Sequence, residues 1–383
     1  MKKVFLIILA VVSIFLFWVI EPFYYNPLHT EEAPSVSSII KYDCMAESKL
    51  QEIADLKLQQ YMQSNQFLGV NVGFSKGNCG TYIASSGYTD KRHLLKVNDN
   101  TINRIASITK PMTAVAIMQL YEKGVIDLDV AIQTYLPNFP VFSKSPITVR
   151  HLLNHTSGIS HYKSKWDAVS FAKYSTLSSA VNTIVERDLN SEPGEKYTYS
   201  SFGYTVLGAI IESVSEQSFE GYMSKNIWIK AGMKDTQLER EHSYPNKSRL
   251  YVKIGSLYIR SPYNDLSIIY PAGGVQSTAK DLLLFGQAIL NNELISRETL
   301  EQMTDINNSL SSIAGDDPYG LGWSVYNDSE KGKIIAHSGG QPGASAYFEI
   351  YLDKKVVVVV LSNAFGTKNS TYSLSKDIGS LIL

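Results

Sequence analysis

The 383-residue sequence predicts an α/β (α+β) fold in which an antiparallel sheet is flanked by terminal helices and stands beside a helical lobe. Strand patterns occur near both ends of the folded region, helical and loop patterns fill its middle, and a helical pattern lies at each end. This order fits one α/β lobe built from both termini that carries a helical insertion. With 44% hydrophobic and 19% charged residues, the composition is that of a globular protein long enough for a sizeable core.

The first twenty residues differ from the rest of the chain. Lys2 and Lys3 precede a run from Val4 to Ile20 without charge, proline or glycine, which is at the short limit of a membrane span. We expect residues 1–20 to be a membrane anchor, in contact with the membrane through residues 4–20, with the catalytic part outside the cytoplasm (periplasmic). The alternative is secretion after cleavage of a signal peptide, which the bulky end of the run disfavours.

Residues 21–44 contain three prolines and no clear period, and they predict a stalk before a folded region over 45–383. That region opens with a helix over 45–65 and a half-buried hairpin, Gly69–Phe74 and Thr81–Ser85. The helix spans roughly 30 Å at ~1.5 Å per residue, and the next strand returns about as far, which brings Cys79 near Cys44. An exported protein permits a disulfide between these cysteines, and two small buried side chains are the alternative.

The rest of the chain supplies the helical lobe and the remaining strands. The stretch of about 127–273 is longer in helices and loops than in strands, and an amphipathic helix follows over Ala279–Leu290. Strands are then predicted at Ile334–Ala336, Ala346–Leu352 and Val356–Leu361. The five consecutive valines of the last strand indicate a central strand covered on both faces, and a final helix is expected over Tyr372–Ile382.

Ser107, in Ser107-Ile108-Thr109-Lys110, is the first candidate for chemistry. Ser-x-x-Lys occurs six times in the chain, but here Pro111 requires a helix to begin close by, because proline is tolerated only in the first helical turn. A serine at that position lies in the field of a helix N-terminus, and Lys110 lies on the same side of the first turn. A buried neutral Lys110 can take the Ser107 proton. The alternative is an N-cap serine beside a surface lysine.

Two further stretches carry candidate groups. Tyr199 and Ser201 precede an apolar helix, and Tyr199 can relay a proton if a nearby lysine cation lowers the pKa of its hydroxyl. The stretch His337-Ser338-Gly339-Gly340 ends a predicted strand, whose backbone N–H groups can form half of an oxyanion hole. Taken alone, the alternatives are a packed tyrosine with a helix cap, and a hairpin turn with an exposed histidine.

In this order, the three stretches resemble the three boxes of the serine β-lactamase and penicillin-binding-protein family. Supporting stretches are similar to the branch with class C β-lactamases, D-alanyl-D-alanine peptidases and related esterases, and especially to the mitochondrial β-lactamase-like serine proteases. These stretches, including those around the boxes, are Arg104–Ser107, His151–Ile159, Tyr204–Gly208, Pro271–Val275 and Ser277–Leu282. The resemblance covers about residues 45–383 and implies a β-lactamase/transpeptidase-like fold with a serine hydrolase activity.

The resemblance also implies a role for each box residue. Ser107 becomes acylated, Lys110 and Tyr199 share the general-base and proton-shuttle roles, and Ser201 helps to position Lys110 and the substrate. The N–H groups of Ser107 and Gly340 form the oxyanion hole. The second box usually ends in asparagine rather than serine, and the third starts with lysine in true β-lactamases rather than histidine. A peptide or peptidoglycan stem is therefore the first expected substrate, before a small ester and a β-lactam.

Other functions receive less support from the sequence. The net charge of −1 gives no indication of a nucleic-acid partner. His151 and His155 have the spacing of a zinc pair, but Leu152 stands where a zincin needs glutamate, so we expect no metal and no cofactor. The chain contains no Gly-x-Ser-x-Gly and no phosphate-binding glycine loop. A catalytically silent binding or scaffold protein is the alternative of another class, and no feature of the sequence decides the oligomeric state.

Overall fold

The structure is a computed structural model that describes residues 2–24, 35–42, 47–163, 168–240, 246–307, 309–313 and 317–383. Its strands are β1 (Ser37–Tyr42), β2 (Gly69–Lys76), β3 (Gly80–Asp90), β4 (Leu95–Lys96), β5 (Asn103–Arg104), β6 (Gln237–Leu238), β7 (Tyr251–Ile254), β8 (Leu257–Arg260), β9 (Val275–Ser277), β10 (Ser324–Asp328), β11 (Gly332–Gln341), β12 (Ala344–Tyr351), β13 (Val356–Ser362) and β14 (Ala364–Phe365). Its α-helices are α1 (Lys2–Tyr24), α2 (Glu47–Gln63), α3 (Thr109–Glu122), α4 (Val149–Leu153), α5 (Leu177–Ile184), α6 (Ser201–Ser215), α7 (Phe219–Met223), α8 (Tyr270–Gly273), α9 (Ala279–Leu290), α10 (Arg297–Met303), α11 (Leu310–Ile313) and α12 (Lys368–Ile382).

One antiparallel sheet joins the two ends of the folded region. Its strand order is β1-β3-β2-β13-β12-β11-β10, with β4 paired to β3. The first three strands meet the last four where β2 pairs with β13, with Val72 opposite Val360. The predicted α/β fold, with an antiparallel sheet flanked by terminal helices, is confirmed.

The valine strand β13 lies in the middle of the sheet, and all of its residues are buried. Val356, Val358 and Val360 pack into a core with residues of α2 and α12. Val357 and Val359 point to the opposite face, where the larger core includes α9 and the helices of the middle of the chain. Helices on both faces explain why this strand is apolar at every position rather than at alternate ones.

Two expectations about the strands near the start of the chain differ from the structure. Ser37–Tyr42, placed in the predicted stalk, instead forms edge strand β1, which pairs with β3 along its whole length. Hydrogen bonds between backbone groups hold this strand in place, and they do not require a regular pattern of apolar side chains. The first hairpin strand was predicted to be half-buried, and this is wrong. It corresponds to β2, which lies between β3 and β13 and is buried on both faces.

Cys79 is disulfide-bonded, whereas Cys44 lies outside the described residues, so the Cys44–Cys79 pairing stays a prediction. In the described parts of the chain, no helix combines the length and apolarity that crossing a membrane requires. The membrane anchor expected at residues 4–20 is therefore not supported by the structure.

Three elements converge beside one end of the sheet. A 3₁₀ turn over Ala106–Ile108 leads directly into α3, and twelve residues of that helix, Thr109 to Leu120, are buried. Helix α6 packs against α3 from the middle of the chain, and β11 packs against the 3₁₀ turn. The predicted helix start near Pro111 is confirmed, and the three sequence boxes lie on these three elements.

Candidate active site

Ser107 lies on the 3₁₀ turn at the entrance to α3. The residue before it, Ala106, has a φ of 48°, an uncommon left-handed conformation for a residue with a Cβ. The Thr109 N–H donates back to the carbonyls of Ala106 and Ser107 and closes the turn. Ser107 is half-buried while its neighbours from Thr101 to Lys110 are buried, so the turn presents the Ser107 hydroxyl from a rigid support.

Lys110 projects from the first turn of α3 and is 0% exposed. Its Nζ lies 3.1 Å from Ser107 Oγ, 3.2 Å from Ser201 Oγ and 2.9 Å from the carbonyl oxygen of Ala272. Its Nζ also lies 4.8 Å from the centroid of the Tyr199 ring. In the part of the chain that the structure describes, no ion pair between Lys110 and a carboxylate is present. Lys110 is therefore a buried amine surrounded by neutral groups.

Burial lowers the pKa of the Lys110 amine well below its usual range. A neutral amine has two hydrogens and one lone pair. The Ala272 carbonyl can only accept, so it takes one N–H, and the Ser201 hydroxyl can take the second. The lone pair then faces the hydroxyl hydrogen of Ser107, which is the geometry of a general base.

Tyr199 contributes a hydroxyl from the other side of Ser107. Burial raises the pKa of the Tyr199 hydroxyl, and the effect of the neighbouring Ser107 side chain, which lowers this pKa, is smaller. The lowered pKa considered for Tyr199 is therefore wrong, because removal from water outweighs any stabilisation of a tyrosinate. The Tyr199 hydroxyl therefore keeps its proton at neutral pH.

Two histidines hold the N-terminus of α6, where Tyr199 and Ser201 lie. The first backbone N–H groups of a helix have no partner within the helix. His155 Nδ1 accepts from the Ser200 N–H at 3.2 Å, and His161 Nδ1 accepts from the Ser201 N–H at 3.2 Å. The His155 ring also packs on the Tyr199 ring, with 4.3 Å between centroids. These positioning roles were not predicted from the sequence, since only the structure brings residues 155 and 161 to this helix.

Ser201 occupies the position where the family usually has asparagine. It is buried and lies within hydrogen-bond distance of Lys110, which agrees with its predicted place beside the lysine. Ser200 caps the helix by accepting from the Gly203 N–H and donating to the Ser160 carbonyl. The Ser201 hydroxyl therefore does not cap the helix and instead faces Lys110.

Strand β11 brings the third box to the serine. Gln341 faces Ala344 across a two-residue turn, so hydrogen-bonded pairs alternate with non-bonded pairs from there along the hairpin. This alternation directs the N–H and C=O groups of Ser338 and Gly340 away from β12. The β10 register ends at Ala336, which leaves these groups on an open edge of the sheet.

Gly339 explains how β11 can lie so close to the serine turn. A Cβ at this position would lie 2.5 Å from the Ile105 carbonyl oxygen and 3.2 Å from the Ala106 Cβ. Only glycine permits this approach, which brings the Gly340 N–H alongside the Ser107 turn. The two donors predicted for an oxyanion hole therefore come from elements in direct contact.

His337 is buried beneath the open edge rather than exposed in a turn. Its Nδ1 lies 2.8 Å from the Ser338 carbonyl oxygen, which can only accept, so this nitrogen carries a proton. Its Nε2 lies 3.0 Å from the Tyr319 hydroxyl. Burial lowers the pKa of His337 to about 3. The imidazole is neutral at neutral pH and offers no permanent cation to a substrate carboxylate.

The two histidines considered as a zinc pair have separate roles. His151 Nδ1 accepts from the Thr148 N–H in the capping box of α4, whereas His155 binds the start of α6. Among the described residues, no group of three or more His, Cys, Asp or Glu side chains could hold a metal ion.

Comparison with known proteins gives the family. The model of the family described as Beta-lactamase matches residues 54–376, most of the chain. The chain belongs to the beta-lactamase family. Penicillin-binding protein 4* of Bacillus subtilis (strain 168) is 32% identical over 324 residues, covering 79% of this chain and 69% of that protein. The mitochondrial serine beta-lactamase-like protein LACTB of Mus musculus is 28% identical over 375 residues, covering 73% of this chain and 68% of that protein.

The same relationship appears in three dimensions. The D-amino acid amidase from Ochrobactrum anthropi SV3, solved with D-phenylalanine, aligns with a TM-score of 0.74 and 21% identity. The alignment covers 87% of this chain and 98% of the amidase, and at this identity it shows the shared fold. The resemblance predicted from the three boxes is confirmed, and this member of the family is a serine hydrolase rather than a silent scaffold.

Proposed function

We propose that this enzyme cleaves a peptide or amide bond through an acyl-enzyme formed on Ser107, with a peptide of the peptidoglycan D-Ala type as its leading substrate. The contact between a fully buried Lys110 amine and Ser107 Oγ, at 3.1 Å, carries the proposal. A neutral amine at this distance can accept the hydroxyl proton without moving. No such role exists for an N-cap serine beside a solvated lysine.

In the acylation step, Ser107 Oγ attacks the substrate carbonyl carbon while its proton passes to Lys110 Nζ. The developing negative charge on the carbonyl oxygen is bound by the N–H groups of Ser107 and Gly340. The resulting ammonium can donate to Ser107, Ser201 and Ala272 at once, so all three of its protons have acceptors. The buried site accommodates both protonation states of Lys110 without rearrangement.

Expulsion of the leaving group requires a proton on its nitrogen. Tyr199 keeps its proton, so it can pass that proton to the departing amine, and the Lys110 ammonium then returns a proton to the Tyr199 oxygen, which leaves both groups neutral. Water then attacks the ester, Lys110 accepts one of its protons, and Ser107 leaves with a hydrogen. This cycle needs only residues already in contact with Ser107.

The open edge of β11 favours an extended substrate. The N–H groups of Ser338 and Gly340 and the Gly340 C=O can pair with a peptide backbone as an added strand. A small ester uses only the oxyanion hole and is the second candidate. A β-lactam ranks third, because neutral His337 replaces the lysine cation and Ser201 replaces the usual amide.

The first test is covalent labelling. A fluorophosphonate or a fluorescent penicillin should label the wild type and fail to label Ser107→Ala. Ser373→Ala provides a matched control, since Ser373 also begins a Ser-x-x-Lys pattern but is exposed on α12. Equal labelling of wild type and Ser107→Ala would refute Ser107 as the nucleophile.

A second test ranks the substrates. A D-Ala-D-Ala peptide, a nitrophenyl ester and a chromogenic cephalosporin are assayed side by side with the wild type and Ser107→Ala. The peptide should show the highest kcat/KM. Cephalosporin turnover far above the other two would overturn the substrate ranking while leaving Ser107 as the nucleophile.

We also infer that the enzyme acts outside the cytoplasm. The uncharged run after Lys2 and Lys3 supports export, and the disulfide at Cys79 is of a kind that persists in oxidising compartments. Protease added to intact spheroplasts should degrade the enzyme while a cytoplasmic marker survives. Deletion of residues 1–20 should leave the enzyme in the cytoplasm, and protection of the full chain from protease would contradict the inference.

A further inference from the structure

Tyr319 places a phenol hydroxyl against the third box. Its side chain is buried, with 5% exposure, and its hydroxyl oxygen lies 3.0 Å from His337 Nε2. His337 carries its proton on Nδ1, because that nitrogen lies 2.8 Å from the Ser338 carbonyl oxygen, which can only accept. Nε2 of the neutral ring therefore has a lone pair, and the Tyr319 hydroxyl supplies the hydrogen of this contact.

The Tyr319 hydroxyl keeps its proton and directs it toward His337. Burial raises the pKa of Tyr319 well above its usual range. The neighbouring Tyr204 hydroxyl gives its own hydrogen to the Leu153 carbonyl at 2.8 Å, so Tyr204 already has a hydrogen bond. If Tyr319 donated to Tyr204 instead, the buried Nε2 lone pair of His337 would lose its partner, which is costly.

The loop that carries Tyr319 is fixed on both sides of this residue. The Tyr319 N–H donates to Ser311 Oγ at 2.8 Å, and its carbonyl accepts from Ser309 Oγ at 2.9 Å. The Gly320 N–H donates to the Trp323 carbonyl at 2.9 Å and closes the turn before β10. Because its backbone is held in this way, the Tyr319 hydroxyl has a defined position.

The Tyr319 ring also packs against the support of the second box. Its centroid lies 4.8 Å from that of His155, whose Nδ1 accepts from the Ser200 N–H at the start of α6. The His155 ring lies in turn 4.3 Å from the Tyr199 ring. The Tyr319 side chain therefore joins the start of α6, with the second box, to β11, with the third box.

The tautomer of His337 decides how the open edge of β11 is held. With the proton on Nδ1, the ring donates to the Ser338 carbonyl and fixes the peptide plane that joins Ser338 to Gly339. With the proton on Nε2, a lone pair on Nδ1 would face the carbonyl oxygen, and the two atoms would repel each other. Such a shift would displace the neighbouring Gly340 N–H, which is one of the two predicted donors of the oxyanion hole.

We propose that Tyr319 is a positioning residue for the oxyanion hole: its hydrogen bond to His337 selects the tautomer that holds the Ser338 carbonyl and, with it, the Gly340 N–H. The inference rests on the proposed hydrolase function and adds a residue that acts through His337. Since both ring nitrogens of His337 bond within the protein, the histidine supports the strand instead of binding a charged group of the substrate.

NMR measures the tautomer directly. Wild type and Tyr319→Phe are labelled with ¹⁵N in their histidine rings, and two-bond ¹H–¹⁵N correlations show which nitrogen of each ring is protonated. The spectrum of His337→Gln lacks the His337 signals and thereby identifies them. The wild type should show a neutral His337 with its proton on Nδ1, and Tyr319→Phe should show a mixture with the Nε2 tautomer.

Hydrolysis of a nitrophenyl ester measures the effect on catalysis. Tyr319→Phe keeps the ring beside His155 and removes only the hydroxyl. Its kcat should fall by about 10-fold to 100-fold with KM unchanged, because an oxyanion hole stabilises the transition state rather than the bound substrate. Tyr222→Phe is the matched control and should keep the wild-type kcat, because the Tyr222 hydroxyl is also buried but has no hydrogen-bond partner among the described residues.

A double variant tests whether Tyr319 acts through His337. A glutamine at position 337 can donate to the Ser338 carbonyl from its amide without help from Tyr319. In the His337→Gln background, Tyr319→Phe should therefore change kcat by less than about twofold. An equal loss of kcat in both backgrounds would overturn the proposal, because Tyr319 would then act by another route.

A wild-type tautomer or a wild-type kcat in Tyr319→Phe would also overturn the proposal and leave the hydrolase intact. Absence of ester turnover in the wild type, together with absence of Ser107 labelling, would instead refute the proposed function. The histidine spectra would still show in that case whether Tyr319 sets the tautomer of His337. The two failures are therefore distinguishable.

Discussion

Replacing Lys110 with methionine should separate the stability of the protein from its activity in a pH-dependent way. Methionine keeps the length and apolar stem of the side chain but removes the titratable amine. Acylation of Ser107 should fall to background, because no general base remains. The loss of the hydrogen bond to the Ala272 carbonyl, at 2.9 Å, should cost about 1–3 kcal/mol of stability at every pH.

The pH-dependent part follows from the lowered pKa of the folded Lys110 amine. Between that value and the ordinary lysine pKa of about 10.4, the unfolded chain holds one proton more than the folded chain. The free energy of unfolding of the wild type should therefore rise with pH, relative to Lys110→Met, by about 1.4 kcal/mol per pH unit. From pH 8.0 to 9.5, this relative gain amounts to about 2 kcal/mol.

Urea unfolding of both proteins at four pH values across this window measures the effect. Ser107→Ala retains the amine and serves as the control, since it should follow the wild-type slope. If the difference between wild type and Lys110→Met does not change with pH, the folded amine is charged throughout. In that case Lys110 cannot act as the base, and the mechanism built on its neutral form is refuted.

Three further predictions use other parts of the site. The pKa of His337 is lowered from 6.5 to about 3, so near pH 5 the histidine is protonated in the unfolded chain but not in the folded one. Between pH 8 and pH 5, the wild type should therefore lose about 2 kcal/mol of stability that His337→Gln does not lose. Urea unfolding of both proteins measures this difference. Gly339→Ala should lower kcat/KM by about 100-fold and stability by about 1–3 kcal/mol, because the new methyl group would clash with the Ile105 carbonyl oxygen. Gly340→Ala is the stability control, since its methyl group would have no neighbour closer than 3.9 Å. Unchanged kinetics in Gly339→Ala would contradict the close approach of β11 to the Ser107 turn. Arg104→Met should lower the free energy of unfolding by about 3–5 kcal/mol, because the buried Glu239 carboxylate loses its bidentate partner. The double variant Arg104→Met with Glu239→Gln should regain part of this stability in thermal unfolding. If it regains none, the loss does not come from the broken pair.

Short sequence patterns predict those structural features that depend only on neighbouring residues in the chain. Pro111 places a helix start within a turn of Ser107, and the valines from Val356 to Val360 require cover on both faces. Edge strand β1 escapes such reasoning, because its stability comes from backbone pairing with β3 rather than from its own side chains.

The catalytic boxes were predictable, but their supporting residues were not. Ser107 and Lys110 share a helical turn, so their proximity follows from the sequence. Ala272, His155 and His161 reach the site only through tertiary packing. The direction of the Tyr199 pKa also depends on burial, which an isolated Tyr-Ser-Ser pattern does not reveal.

The site draws its parts from distant positions in the chain. Ser107 lies in the first third of the sequence, Tyr199 near the middle, and Gly340 close to the end, and the sheet that fixes them pairs β2 with β13. A nascent chain therefore holds Ser107 without Gly340 beside it until the last strands have emerged. Pairing across such sequence separations is slow, so enzyme activity should be gained late and all at once during maturation.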